Sequence, residues 1–213
     1  MRRGLVLDPN APDALFMFGL FLGVTGQTAE AVEVADRLIR VDPLSAMASM
    51  ARATVLSFSG RWAEALRQDS LTKRLDATVV YADAWDGAAL RELGHLPESV
   101  AAYLAFQTLT GQPAFGLATT YGRMGKRDDA LRIIHELEDA RPHRWVDPVA
   151  IASAYAGIGD RDHAMEWLNT ALKEKAFTLR FMMNYDSFWM DGVRDDPRFV
   201  ALRRQVLATT FTD

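Results

Sequence analysis

Few residues of this chain have the type and spacing that catalysis or metal binding would need. The four histidines are His95, His135, His143 and His163. None is followed four residues later by another histidine, the spacing that places two metal ligands on one face of a helix. His163 and Glu166 could meet on one helix face, although an isolated pair of this kind is usually a surface contact. Since no nucleophile elbow, phosphate loop or dinucleotide-binding glycine pattern occurs either, we predict no enzyme activity, no cofactor and no metal site.

The composition is that of an ordinary water-soluble protein. Of the 213 residues, 49% are hydrophobic and 24% are charged. The net charge is −4, which disfavours nucleic-acid binding because such proteins usually carry a basic face. The acidic cluster of Glu136, Glu138 and Asp139 is interpreted as a solvated helix face. The absence of cysteine excludes disulfide and thiolate chemistry and suits the cytoplasm.

An apolar run over residues 15–24 follows Arg2 and Arg3 and could be mistaken for a signal peptide. The run is too short to span a bilayer. It also falls in phase with the other apolar segments of the chain, so we interpret it as a core helix.

One sequence pattern occurs five times along the chain. Each copy contains a glycine, and successive glycines are 34, 34, 31 and 34 residues apart: Gly26, Gly60, Gly94, Gly125 and Gly159. Seven residues before each glycine stands a small residue, and five residues after it stands another. The first set is Gly19, Ala53, Gly87, Ala118 and Ala152, and the second is Ala31, Ala65, Ser99, Ala130 and Ala164.

These residue types suit a pair of helices, A and B, that reverse direction at the glycine. A glycine just past helix A allows the left-handed backbone conformation that a β-carbon opposes. The two small residues would face each other where the helices cross and allow their axes to approach closely. A period of about 34 residues with this turn is typical of a helical repeat array.

Residues 9–176 thus resemble the tetratricopeptide repeat family. The resemblance implies an all-α, right-handed solenoid of about five repeats. Leu7-Asp8-Pro9 is similar in sequence to Val41-Asp42-Pro43, which is the predicted end of a helix B. The array of residues 1–176 is therefore expected to begin within a partial repeat. That partial repeat would be either an N-terminal cap or part of a longer protein.

Caps and helix breakers predict the bounds of the helices. The five A helices are expected at about 12–25, 45–58, 79–93, 113–124 and 147–158. The five B helices are expected at about 28–41, 61–74, 97–109, 127–139 and 161–175. Because the third interval is three residues short, we expect the loss in the third helix B or in the loop after it.

Residues 177–213 are rich in aromatic residues and methionine, and we expect them to cap the array. Asp196 and Pro197 would begin a last helix that buries Phe199 and Leu202. The covering aromatics would include Phe181, Tyr185, Phe188 and Trp189. The tail resembles the closing segment of repeat arrays behind bacterial adenylate-cyclase-type or transcription-regulatory domains; a generic capped helix is the alternative.

The family resemblance implies binding of a protein or peptide along the concave surface that helices A line. The predicted groove residues are Phe16, Leu20, Met47, Met50, Tyr81, Arg91, Phe115, Thr119 and Arg123. For Leu20 and Met47, packing between repeats is the alternative. No lysine or asparagine stands among these positions, so the clamp used by the chaperone-binding members of the family is not supported.

The sequence therefore predicts a non-catalytic interaction scaffold with no membrane or nucleic-acid partner. A regulatory or oligomerisation domain of a larger bacterial signalling or transcription protein is the alternative, and pairing with a second copy of the chain stays open.

Overall fold

A computed structural model describes residues 8–79, 81–184 and 188–208, apart from the side chains of Tyr81, Phe181, Asn184 and Phe188. The described residues are helical and form no strand, as the sequence predicts. The chain divides into two compact units, Met1–Thr110 and Gly111–Asp213. We refer to them as the N-terminal and C-terminal units.

The N-terminal unit contains three helix pairs. They are α1 (Pro12–Val24) with α2 (Thr28–Val41), α3 (Ala46–Phe58) with α4 (Trp62–Leu75), and α5 (Tyr81–Glu92) with α6 (Leu96–Thr110). The first helix of each pair is helix A of a repeat and the second is helix B. Buried side chains of consecutive helices form the core, including Leu22 of α1, Ala31 of α2 and Val55 of α3.

The C-terminal unit contains two further pairs and the tail. The pairs are α7 (Phe115–Arg123) with α8 (Arg127–Ala140), and α9 (Pro148–Gly157) with α10 (Arg161–Lys173). The tail forms α11 (Phe177–Asn184), a 3-10 turn (Phe188–Val193) and α12 (Pro197–Ala208). Ile134, Ile151 and Leu168 are fully buried in this unit. The predicted division between array and cap at residue 176 stays a proposal.

The ten repeat helices begin and end close to their predicted bounds, and several of them have a side-chain cap at the N-terminus. The Ser45 hydroxyl accepts a hydrogen bond from the Ala48 N–H at 3.1 Å. The Asp160 carboxylate accepts one from the His163 N–H at 3.3 Å. Such caps satisfy N–H groups that have no partner within the helix.

The three residues missing from the third interval are lost at the start of α7, so the expected location in the third helix B or the following loop is wrong. Helix α6 has 15 residues, one more than α2 and α4. Helix α7 has only 9 residues, whereas α1 and α3 have 13 each. Pro113 explains this, because proline disfavours helical backbone in the residue before it and lacks an N–H.

Each helix A ends in the same turn, which confirms the predicted role of the glycines. Their φ angles lie between 69° at Gly60 and 84° at Gly94. In each turn the residue after the glycine donates its N–H to a carbonyl five residues back, for example Arg61 to Leu56 at 2.9 Å. This is the Schellman pattern, which satisfies carbonyls left over at the end of a helix.

Gly60→Ala should lower the free energy of unfolding by about 1 kcal/mol. An added β-carbon would have no other atom within 4 Å, so the cost comes from the positive φ alone. Urea unfolding followed by circular dichroism measures the loss. Gly60→Asn is the control, because asparagine tolerates this conformation better than alanine. An alanine variant as stable as the wild type would contradict the prediction.

The two sets of small residues meet where helix A crosses helix B, as predicted. The Ser99 hydroxyl donates to the Gly87 carbonyl at 2.7 Å. A β-carbon built on Gly87 would lie 2.9 Å from atoms of the Tyr103 ring, closer than real contacts. All ten small residues are buried. Larger side chains at these positions would therefore separate the helices.

Apolar burial and ion pairs hold the tail against the helix pairs of the C-terminal unit. Phe199 and Leu202 of α12 are buried, as the sequence predicts. The Asp196 carboxylate caps α12 by accepting from the Arg198 N–H at 2.9 Å. The Arg198 guanidinium also binds the carboxylates of Asp196 at 2.7 Å and Asp162 of α10 at 2.8 Å.

Two parts of the sequence predictions fall outside the described atoms. Residues 1–7, most of the predicted partial repeat, are not described, and neither is Tyr185. The side chains of Phe181 and Phe188, two other predicted covering aromatics, are likewise outside the description.

Candidate functional site: the helix A surfaces

In the N-terminal unit, helices α1 and α3 place apolar side chains at equivalent repeat positions. Phe16 and Met50 stand one repeat apart and both are half-buried. Met47, one turn before Met50, has 51% of its surface exposed. Leu20 is half-buried and packs against the core cluster of α1, so its role is partly structural. Tyr81, the next equivalent of Met47, has no described side chain.

Arg91 does not lie on this surface, because only 1% of it is exposed. Its guanidinium donates to the Glu92 carboxylate at 3.0 Å and to the Tyr103 hydroxyl at 3.4 Å. The repeat phase explains the burial, since Arg91 stands one repeat after Ser57 and two repeats after Gly23, and both are buried. Arg91 is therefore a buried residue of its helix pair and does not line the predicted groove.

In the C-terminal unit, Phe115 and Arg123 stand at the two ends of α7, half-buried and exposed respectively. Thr119 lies between them and is buried. A β-carbon on Gly157 of α9 would approach the Thr119 hydroxyl to 2.6 Å, which shows how closely the two helices pack there. Thr119 is therefore a helix-packing residue.

The 3-10 turn of the tail meets both of the accessible predicted groove residues of this unit. The Trp189 ring packs edge-on against Phe115 with ring centroids 5.8 Å apart and an interplanar angle of 79°. The Asp191 carboxylate lies 3.7 Å from the Arg123 guanidinium. A β-carbon on Gly192 would lie 1.9 Å from the Ala156 carbonyl oxygen, so the turn backbone touches α9 directly. Sequence reasoning did not predict these contacts.

Another unpredicted feature is a buried group of ionisable side chains between α4 and α5. Asp69 of α4 is 0% exposed. Lys73 of α4 binds Asp83 at 2.5 Å and Asp86 at 2.6 Å, both on α5. Among the described residues, neither oxygen of the Asp69 carboxyl has a hydrogen-bond partner, and the same holds for Asp86 Oδ1. The repeat position of Asp69 could have indicated its burial. Asp69 stands one repeat after Ala35 and one repeat before Tyr103, and both of these residues are buried.

The electrostatics of this group favour a protonated Asp69. Burial, together with the nearby Asp86 carboxylate and against the opposing charge of Lys73, raises the pKa of Asp69 to about 8. Burial also raises the pKa of Asp86. A proton shared by the two carboxyl groups supplies the donor that the described surroundings of Asp69 lack.

Two residues singled out in the sequence, His163 and Glu138, have structural partners. The His163 ring binds the Asp160 carboxylate at 3.0 Å and stacks on Tyr155, and the hydrogen bond to Asp160 raises the pKa of His163. Glu138 is half-buried and accepts from the Tyr155 hydroxyl at 2.9 Å and the Trp167 indole at 3.1 Å. The interpretation of Glu138 as part of a solvated face is wrong, because it lies on the side of α8 that faces α9 and α10.

The described ranges contain neither a cluster of metal ligands nor a membrane-spanning helix. No group of three or more histidine, cysteine, aspartate or glutamate side chains there could hold a metal ion. Likewise, none of the helices described is long and apolar enough to cross a membrane.

The comparisons with known proteins agree with this geometry. Residues 149–177, which contain α10 and all of α9 except its first residue, match the tetratricopeptide repeat family model. The crystal structure of TTC0263, a thermophilic TPR protein of Thermus thermophilus, superposes with a TM-score of 0.63. It is 18% identical, over 82% of this chain and 98% of that one. The fold is that of tetratricopeptide repeats.

Other solved structures resemble the chain at similar identity. YrrB, a TPR protein with an unusual peptide-binding site, has a TM-score of 0.51 and 16% identity over 84% of this chain and 94% of its own. A chain of the APC/C hetero-tetramer Cut9–Hcn1 has a TM-score of 0.61 and 14% identity over 95% of this chain and 44% of its own. These identities establish the fold alone.

No curated protein matches the chain by sequence. The resemblance of the tail to arrays of adenylate-cyclase-type or transcription-regulatory proteins is not confirmed by these matches.

Proposed function

We propose that the chain is a non-catalytic scaffold that binds a protein or peptide along the helix A surfaces of its tetratricopeptide repeats. The observation that carries the proposal is the exposure of Met47 beside the half-buried Met50 and Phe16 on consecutive A helices. Methionine and aromatic side chains adapt to different partner surfaces and are enriched in protein interfaces. The proposal is supported by the fold shared with YrrB, a TPR protein with an unusual peptide-binding site, and with a chain of the Cut9–Hcn1 hetero-tetramer.

Binding to this surface should depend on Met47. A peptide selected from a displayed library on the full chain would serve as the ligand, with affinity measured by fluorescence anisotropy. Met47→Ala should weaken binding about fivefold, because the methionine loses apolar contact area with the ligand.

Leu109→Ala is the matched control, since Leu109 is apolar and 61% exposed but lies on helix B of the third repeat. It should bind the peptide like the wild type. If Leu109→Ala weakens binding as much as Met47→Ala, or if no peptide is selected, the proposed surface is wrong.

A specific observation favours the oligomerisation role as a second candidate. Met17 and Phe21 of α1 are both about half exposed. Their equivalents one repeat later, Ala51 and Val55, are buried in core clusters with α2, the preceding helix B. The exposed pair thus lies on a face that packs against another helix elsewhere in the array. A dimeric mass of the purified chain in solution would favour this second function.

A further inference from the structure

The tail turn already engages the side chains of the C-terminal unit that a peptide would bind there. Phe115 and Arg123 lie at opposite ends of α7, eight residues apart, which is about 12 Å along a helix. Trp189 meets the first and Asp191 meets the second. Only one residue separates Trp189 from Asp191, and their two side chains together reach residues at both ends of α7.

Resting on the proposed function, we infer that the 3-10 turn is an internal ligand of the helix A surface in the C-terminal unit. The external partner that fits the same surface is a peptide with an aromatic residue followed two positions later by an acidic residue. Its aromatic ring would replace Trp189 on Phe115, and its carboxylate would replace Asp191 beside Arg123.

The contacts of Trp189 and Asp191 are of the kind that a ligand can replace. The Asp191–Arg123 pair is partly exposed, with 50% and 33% of the two side chains accessible, so solvent screens it. Asp191 also binds Arg194 at 2.7 Å, a partner that would retain the carboxylate when Arg123 is taken by a ligand. The Trp189 ring is only half-buried.

The backbone of the turn is held by other residues. Met190 and Val193 are buried, and the close approach of Gly192 to the Ala156 carbonyl leaves no room for a side chain. Exchange therefore needs only the Trp189 and Asp191 side chains to move, while the turn stays on α9. This separates the two functions of the turn: Met190 and Val193 stabilise the fold, and Trp189 and Asp191 occupy the surface.

The inference is tested with a fluorescent peptide that has the sequence of residues 186–194. Binding is measured to the full-length wild type and to the double variant Trp189→Ala/Asp191→Ala, whose turn keeps Met190 and Val193. The double variant should bind the peptide about tenfold more tightly, because the internal aromatic and ionic contacts no longer compete. Circular dichroism confirms that the variant is folded.

Three controls make the result specific. Phe177→Ala removes a tail aromatic that is 85% exposed and should leave peptide affinity unchanged. A peptide with alanine at the positions of Trp189 and Asp191 should not bind the opened variant. Adding Arg123→Asp to that variant should weaken binding of the original peptide about fivefold, because the new carboxylate repels that of the ligand.

Equal affinity of the wild type and the folded double variant, or no binding to that variant, would overturn the inference. Either result would show that the turn is a fixed part of the fold. It would leave the Met47 experiment untouched, because that experiment probes the N-terminal unit with a different peptide.

Discussion

The free energy of unfolding should fall as the pH rises from about 4 to about 8, and Asp69→Asn should remove most of this slope. Folded Asp69 keeps its proton until its pKa of about 8, whereas the ordinary value is 3.8. Between these values the folded state binds more protons than the unfolded state, so raising the pH favours unfolding. The slope approaches about 1.4 kcal/mol per pH unit where the difference is one full proton.

Asparagine should be tolerated because its amide supplies a permanent donor to the Asp86 carboxylate. At pH 8 the variant should melt about 4–8 °C higher than the wild type, equivalent to about 2 kcal/mol. Thermal unfolding across the pH range measures both effects. Asp128→Asn, at an exposed position on α8, should keep the wild-type slope.

Part of the slope should survive in Asp69→Asn. The raised pKa of His163 makes its protonation favour the folded state, and that contribution is lost as the pH rises above the ordinary value of 6.5. A wild-type stability that is constant or rises between pH 4 and 8 would contradict the buried shared proton.

Phe199→Ala should destabilise the chain by about 3–5 kcal/mol and lower its melting temperature by about 10 °C. Phe199 is 4% exposed, so alanine would leave a cavity beneath α12. Val200→Ala is a control in the same helix, because Val200 is 44% exposed and should cost no more than about 0.5 kcal/mol.

The alternative role for the tail predicts a different result from the same pair of variants. If the tail aromatics paired with a second copy of the chain, Phe199→Ala would change the mass in solution and leave the melting temperature of the monomer unaltered. Equal melting temperatures for the two variants would contradict the capping role.

The repeat features could be predicted because each depends on local geometry. A turn glycine such as Gly60 is required by its φ angle, and a small residue such as Ser99 by the contact of its own helix pair. These requirements recur with every repeat, so five occurrences identify them. The helix bounds follow from the same turns.

The exposure of the proposed surface residues was predicted less well, because exposure depends on how one repeat packs against the next. Residue type suggested that Arg91 is exposed, whereas its repeat phase with Gly23 and Ser57 places it inside. Asp69 is a polar residue at a position where Ala35 and Tyr103 are buried. In both cases the position in the repeat outweighs the chemistry of the side chain.

The 3-10 turn had no sequence signal of its own. The repeated sequence pattern ends before residue 177. The contacts of Trp189 and Asp191 join the tail to α7, two segments that are far apart along the chain. No spacing rule within one repeat relates such segments, so only the folded chain brings them together.

The helix-by-helix contacts within each unit have a consequence for synthesis. Each helix makes its extensive contacts with elements no more than three places away along the chain. Closing such short loops costs little entropy, which favours rapid folding. Within each unit, a repeat can therefore pack on the one before it soon after leaving the ribosome, so that apolar faces are covered in the order in which they are made.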